Sequence, residues 1–314
     1  MNQPLGQDGV FVLSRDADAY VRLLADEGIV AAAATDAAAV AARYAGEPVV
    51  LGDPGLLVQA LDDMDGVRWV QSTWAGVAPL LDAASAGLTV TGIKGVFGPQ
   101  MAEYVLGYLL AHELGVIQRF QWQAEQRWVT TPTGRIAGKT MGILGMGSIG
   151  RVVAGRAQAL GLRVLGCSRS GAATAPFTRV FAVEDLHAFL GECDYLVTLL
   201  PDTPDTAGLL DADALAALPA GAVLVNAGRG SVIDEQALVA ALGDGHMGGA
   251  VLDVFNQEPL PQDHPFWTTP NLRVTAHVAA LSEPADIVAV FLDNFRRFQA
   301  GKPLQYTVDA RRGY

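Results

Sequence analysis

An apolar strand that runs straight into a glycine-spaced turn and then a helix leaves a chain few folds to choose from. Thr140–Leu144 followed by Gly145-Met146-Gly147-Ser148-Ile149-Gly150 is such a unit. The helix that follows must pack back on the sheet, so the next strand lies parallel to the first, as in a doubly wound α/β fold. The glycine pattern alone is weak, because 35 glycines in 314 residues give about 0.4 chance matches to three fixed glycines. A second match does occur, at Gly243-Asp244-Gly245-His246-Met247-Gly248. Context separates them. The first opens a helix after a strand, where backbone N–H groups receive the pyrophosphate of a dinucleotide. The second follows a helix and precedes a strand, which predicts a C-cap and turn.

The same alternation runs through the rest of the chain. Strands are expected at 9–13, 29–33, 48–51 and 67–71, with a helix over 17–27 and an apolar-periodic stretch over 54–61. The Gly/Pro-rich segment 92–99 breaks the pattern, and one long helix is expected over Gln100–Gln121, with an apolar stripe at Val105, Leu109, Leu110, Leu114 and Ile117. That stripe suits either core packing or a second subunit. After the glycine turn come a helix over 148–160 and strands at 163–167, 194–200, 222–226, 250–255 and 272–275, then a last helix over 284–300. The Ala-rich patch 31–42 reads as sheet covering. A length of 314 residues suits two α/β units better than one core.

Bulk properties exclude several function classes. The net charge of −12 argues against nucleic acid or an anionic membrane as partner, so an anionic ligand must be held by local positive charge or backbone N–H groups. No apolar run approaches the ~18 residues of a membrane span. The first eight residues lack the basic and apolar regions of a secretory leader, which makes the cytoplasm the expected compartment. Cys167 and Cys193 each border an apolar run and read as buried thiols, and no metal site is expected.

Chemistry is expected beyond the C-terminal ends of the strands. The second strand after the glycine turn ends in Ser168-Arg169-Ser170, with no carboxylate to accept from a ribose 2′-hydroxyl. A guanidinium between two hydroxyls suits the 2′-phosphate of NADP; the other reading is a solvated loop arginine. Three further residues follow apolar strands: Arg229 in Asn226-Ala227-Gly228-Arg229-Gly230, Glu258 before Pro259, and His277 in Ala276-His277-Val278. Reduction of a carbonyl by hydride needs an anchor for a substrate carboxylate, a proton donor, and a group that keeps the donor protonated. Arg229, His277 and Glu258 fit those roles in that order. Each also has a plainer reading: a surface loop, a structured core histidine, a solvated turn. His112, His187, His246 and His264 have no comparable setting and read as structural or surface groups.

With Leu199-Leu200-Pro201, Thr206 and Leu252-Asp253-Val254-Phe255 added, these segments resemble the D-isomer-specific 2-hydroxyacid dehydrogenases over nearly the full length of the chain, and within them the bacterial NADPH-dependent glyoxylate/hydroxypyruvate reductases. The resemblance implies a Rossmann cofactor domain (99–284) inserted in a flavodoxin-like substrate domain (1–98 and 285–314), facing each other across an active-site cleft. It implies a homodimer to which the helix from Gln100 contributes, and Arg229, Glu258 and His277 as catalytic residues. The cofactor would meet Gly145, Met146, Gly147, Ser148, Ile149, Gly150, Ser168, Arg169, Ser170, Leu200, Pro201, Thr206, Ala227 and Gly228, with Asp253 on the nicotinamide amide. NADP would be preferred, with NAD possible. Trp74, Ala75 and Gly76 would join Arg229 around the carboxylate of a small 2-oxo acid. Trp74 and Ala78 stand where the family usually has Gly and Asp, so the substrate loop departs from the pattern and the pocket can be reshaped. A dehydrogenase for a different 2-hydroxy acid, or a dinucleotide-sensing regulator of the same fold, remains open at this point.

Overall fold

Short β-branched and apolar runs form the strands of two all-parallel sheets in the computed structural model, which describes residues 9–310. Residues 1–8, read above for a secretory leader, and 311–314 lie outside the described residues. The chain divides into two compact units. One takes the described residues up to Val96 and those from Ser282 onward; the other is Phe97–Leu281.

The first unit contains β1 (Val10–Leu13), β2 (Ala31–Ala34), β3 (Val49–Gly52), β4 (Trp69–Ser72) and β5 (Thr89–Thr91), in spatial order β2-β1-β3-β4-β5. This is the flavodoxin order, whose direction reverses between β1 and β3. The Ala-rich patch is itself part of the sheet: Ala31–Ala34 is the edge strand, and Ala37–Arg43 forms a helical turn after it. The helix Pro284–Gln299 returns to this unit because its apolar face has a partner here. Phe291 stacks on Trp69 at 5.3 Å, and Asn294 donates to Gln71 Oε1 at 3.2 Å.

The second unit contains β6 (Thr140–Leu144), β7 (Arg163–Ser168), β8 (Arg179–Ala182), β9 (Tyr195–Thr198), β10 (Val223–Asn226), β11 (Gly249–Leu252) and β12 (Leu272–Val274). Their order, β12-β11-β10-β9-β6-β7-β8, is the Rossmann arrangement extended by one strand. Alternate residues serve two cores. Leu144, Leu196, Leu224 and Leu252 face one, while Ile143, Val197, Val225 and Val251 face the other. A parallel sheet covered on both faces needs such near-continuous apolar strands.

The structure corrects some sequence expectations. The helix over Gln100–Gln121 is two helices, Gly98–Glu113 and Val116–Ala124, separated at Gly115, whose φ of 61° is left-handed. The strands expected over 194–200 and 250–255 stop at Thr198 and Leu252, where the paired ladder stops. Thr89–Thr91 and Arg179–Ala182 were not expected as strands. Both are short strands at sheet edges.

Candidate active site

Register carries the site. Leu144 pairs with Thr198, Thr198 with Asn226, Asn226 with Leu252, and Leu252 with Val274. The residues that follow, among them Gly145, Ala227, Asp253 and Thr275, therefore leave the sheet along one edge, the C-terminal edge that ligands use in such folds.

At β6 the chain turns through Gly145, whose φ is +99°; a Cβ there would lie 2.8 Å from the Leu199 carbonyl oxygen. Glycine is thus required both for conformation and for close approach. The helix Ser148–Ala159 that follows has Gly147 as its N-cap and no side-chain cap. Its first N–H groups are left for a ligand, with Gly147 and Ser148 exposed and Gly150 buried beneath the turn. Met146 lies over β7, against Gly166, and Ile149 packs on the core. This cradle fits a dinucleotide pyrophosphate. The second glycine match behaves as expected: Gly243 ends the helix Glu235–Gly243, and Gly245 turns with φ 79°.

At the end of β7, Ser168 is half-buried, and beyond it Arg169 and Ser170 are exposed. Past β9, half-buried Leu200 and Pro201 lead into a turn stitched by Thr206, whose hydroxyl donates to the Pro201 carbonyl at 2.7 Å and accepts from the Thr203 N–H at 3.0 Å.

The loop after β10 is built around Asn226, which is fully buried. Its Oδ1 accepts from the Gly228 N–H at 3.0 Å and its Nδ2 donates to the Arg229 carbonyl at 2.9 Å. Both ends of the turn are fixed by one side chain, so Arg229 leaves in a set direction. Its guanidinium donates to the Gly228 carbonyl at 2.7 Å and stays partly exposed. A Cβ at Gly230 would overlap the backbone of Phe255, so this loop and the one after β11 press directly together.

That second loop carries Glu258. Its Oε1 accepts from the Phe255 N–H at 3.0 Å, and its Oε2 lies 2.9 Å from His277 Nδ1. His277 stands beyond β12 with its side chain 52% exposed, against 37% for Glu258. The carboxylate is anchored by backbone on one oxygen and holds the imidazole with the other. Nδ1 therefore faces the carboxylate, and Nε2 is the nitrogen offered outward. Asp253, in contrast, is 1% exposed. Its Oδ1 accepts from Thr275 Oγ1 at 2.5 Å and the Val278 N–H at 2.9 Å, and its Oδ2 from the Ala279 N–H at 2.9 Å.

Residues 106–279 match the family described as D-isomer specific 2-hydroxyacid dehydrogenase, NAD binding domain. The chain belongs to the D-isomer specific 2-hydroxyacid dehydrogenases. A glyoxylate/hydroxypyruvate reductase A from Salmonella newport (strain SL254) is 36% identical over 218 residues, covering 69% of this chain and 70% of that protein. Among solved structures, a family protein from Aeromonas salmonicida subsp. salmonicida A449 is similar with a TM-score of 0.92 at 36% identity, over 97% of this chain and 100% of that one. An NADPH-dependent glyoxylate/hydroxypyruvate reductase from Sinorhizobium meliloti, solved with NADP and sulfate, is similar with a TM-score of 0.85 at 31% identity, over 98% and 100%.

In this dehydrogenase the Glu258–His277 pair and the Arg229 loop are assembled on neighbouring strand ends of one sheet. The turn Trp74-Ala75-Gly76 belongs to the first unit, past β4. Ser72 Oγ accepts from the Trp74 N–H at 3.0 Å, and Thr73 donates to the buried Asp53 carboxylate at 2.6 Å, so the turn begins from a fixed base. Trp74 is 42% exposed. The other histidines sit apart: His264 pairs with Glu235 at 3.2 Å, and burial holds His112 below its ordinary range. Sequence reading did not single out Asp53, nor Arg151, whose Nε donates to the Met146 carbonyl at 3.3 Å beside the glycine turn. Arg151 carried a usable signal, a cation directly after the third glycine.

Proposed function

We propose that this dehydrogenase reduces hydroxypyruvate or glyoxylate to the corresponding 2-hydroxy acid, of D configuration where the product is chiral, and that it uses NADPH. The observation that carries the reading is the 2.9 Å contact of His277 Nδ1 with Glu258 on a partly exposed ring. A carboxylate at Nδ1 fixes the orientation of the ring and leaves the Nε2 proton for the substrate oxygen. When bound, the reduced nicotinamide supplies a hydride to the 2-oxo carbon. His277 gives its Nε2 proton to the carbonyl oxygen as negative charge develops there, and Glu258 holds the ring in line during the transfer. Arg229 takes the substrate carboxylate through its planar fork.

For the cofactor, the uncapped N-terminus at Gly147–Ser148 suits the pyrophosphate, and the loops at Leu200, Pro201, Thr206, Ala227 and Gly228 flank it. Arg169 between Ser168 and Ser170 suits a 2′-phosphate, and the NADP bound to the Sinorhizobium relative supports this choice. The substrate choice is supported by the activity named for the Salmonella and Sinorhizobium relatives. Exposed Phe120 (66%) and Trp128 (94%), both in the segment after Gly115, support a homodimer. The cytoplasm is the compartment that fits a reductase drawing on reduced nicotinamide, and the net charge of −12 speaks against nucleic-acid partners.

The test is a panel following NADPH and NADH loss with hydroxypyruvate, glyoxylate, pyruvate, phenylpyruvate and 2-ketogluconate. The highest kcat/KM is expected for the first two with NADPH. Preference for phenylpyruvate would overturn the substrate, and no turnover with any of them would overturn the reaction. Sedimentation as a monomer would overturn the dimer.

A further inference from the structure

We propose that Tyr104, on the helix Gly98–Glu113, is a positioning residue for the proton donor, acting on the His277 loop through Thr275 and Asp253. The inference rests on the proposed reaction for its catalytic consequence, but its geometry stands independently. His277 has a φ of 55°, the left-handed region that a β-carbon disfavours, and its imidazole points usefully only while that conformation is held. The His277 N–H donates to the Asp253 carbonyl at 2.8 Å, and the next two N–H groups, of Val278 and Ala279, donate to the two oxygens of the Asp253 carboxylate, each at 2.9 Å. Asp253 thus grips the loop on both sides of the histidine.

Asp253 is itself tied down by a directional chain. Thr275 Oγ1 lies 2.5 Å from Asp253 Oδ1 and 2.7 Å from the Tyr104 hydroxyl. Both carboxylate oxygens already face N–H donors, so Asp253 is an acceptor throughout and the Thr275 proton lies on the carboxylate contact. Thr275 must then accept from Tyr104. The order is Tyr104 O–H to Thr275 O–H to Asp253, and each bond polarises the next. Burial pushes the Tyr104 phenol well above its ordinary range, which keeps it a donor at any working pH. The tyrosine ring is fixed in turn against Tyr108, with centroids 4.8 Å apart. Nothing in this chain requires Tyr104 to touch substrate or cofactor.

The experiment compares Tyr104→Phe, Thr275→Val, their combination and Thr275→Ser, using hydroxypyruvate reduction, fluorescence titration of NADPH, and amide hydrogen exchange of the peptide containing Val278 and Ala279. Loss of one such hydrogen bond should lower kcat between about threefold and tenfold in Tyr104→Phe. KM, NADPH affinity and Tm should hold. Exchange at Val278 and Ala279 should accelerate. The double variant should fall no further than Thr275→Val alone, because both substitutions break one chain, and Thr275→Ser should retain kcat. Unchanged kcat in Tyr104→Phe, unchanged exchange, or additive losses in the double variant would each overturn the proposal. An inactive wild-type protein would overturn the reaction instead, and exchange at Val278 and Ala279 would still decide whether Tyr104 holds the loop.

Discussion

Glu258→Gln isolates what the carboxylate contributes to proton delivery. The wild-type side chain makes two contacts, from the Phe255 N–H at 3.0 Å and with His277 Nδ1 at 2.9 Å. Glutamine keeps the first, because its carbonyl oxygen accepts from Phe255, and that fixes the amide so that its NH2 group faces Nδ1. The imidazolium then loses its acceptor and meets a donor. Charge-assisted hydrogen bonds contribute about 1.5–3 kcal/mol. With half of the histidine and a third of the glutamate in water, solvent screening puts the expected loss at the low end. The reductive kcat should therefore fall on the order of tenfold near neutral pH. The assay is steady-state hydroxypyruvate reduction near neutral pH, with Tm as a control for folding. A kcat within twofold of wild type would refute the role of Glu258 in proton delivery.

Other perturbations separate the remaining groups. Arg229→Lys keeps the charge but loses the planar fork, so KM for hydroxypyruvate should rise at least tenfold with NADPH affinity unchanged. Arg169→Asp should lower kcat/KM with NADPH by about tenfold to a hundredfold while sparing NADH, measured side by side. Burial pushes the Cys167 thiol up to about 11 and Cys193 up to about 12. Both should resist a thiol reagent at pH 8 in the native protein and react fully in denaturant, as quantified by mass spectrometry; reaction would begin only as the pH rose toward those values.

The strands that carry chemistry were legible because each is a short apolar run followed abruptly by polar residues. Leu224-Val225-Asn226 and Val251-Leu252-Asp253 show the change within one residue. Burial on both faces removes alternation and leaves a run that sequence can mark. The edge strand Thr89-Val90-Thr91 gives no such signal: it is three residues, and Thr91 partners Trp69 and Gln71 through contacts visible only once the sheet is formed. The break at Gly115 was hidden for another reason. Leu109, Leu110, Leu114 and Ile117 keep helical spacing across it, so the periodicity continues although the helix does not.

The site divides along the same physical line. Residues offered outward, His277, Arg229 and Arg169, are costly or pointless in a core and stood out as polar groups at strand ends. Residues that aim them did not stand out, because their function is a path of hydrogen bonds that sequence does not order. Asp253 is the clearest case. As a carboxylate one step past a strand it resembles a ligand for something bound, yet at 1% exposure it holds the backbone of the histidine loop. Asn226 and Asp53 do the same for the arginine loop and for the turn before Trp74. Three buried polar side chains, each ending or following a strand, thus set the loops from which the exposed groups act. A buried polar group must find partners or destabilise the fold, so these residues make loop geometry part of folding. A substitution at Asp253 would remove acceptors from Thr275, Val278 and Ala279 together, and would disturb the aim of His277 while leaving the imidazole itself unchanged.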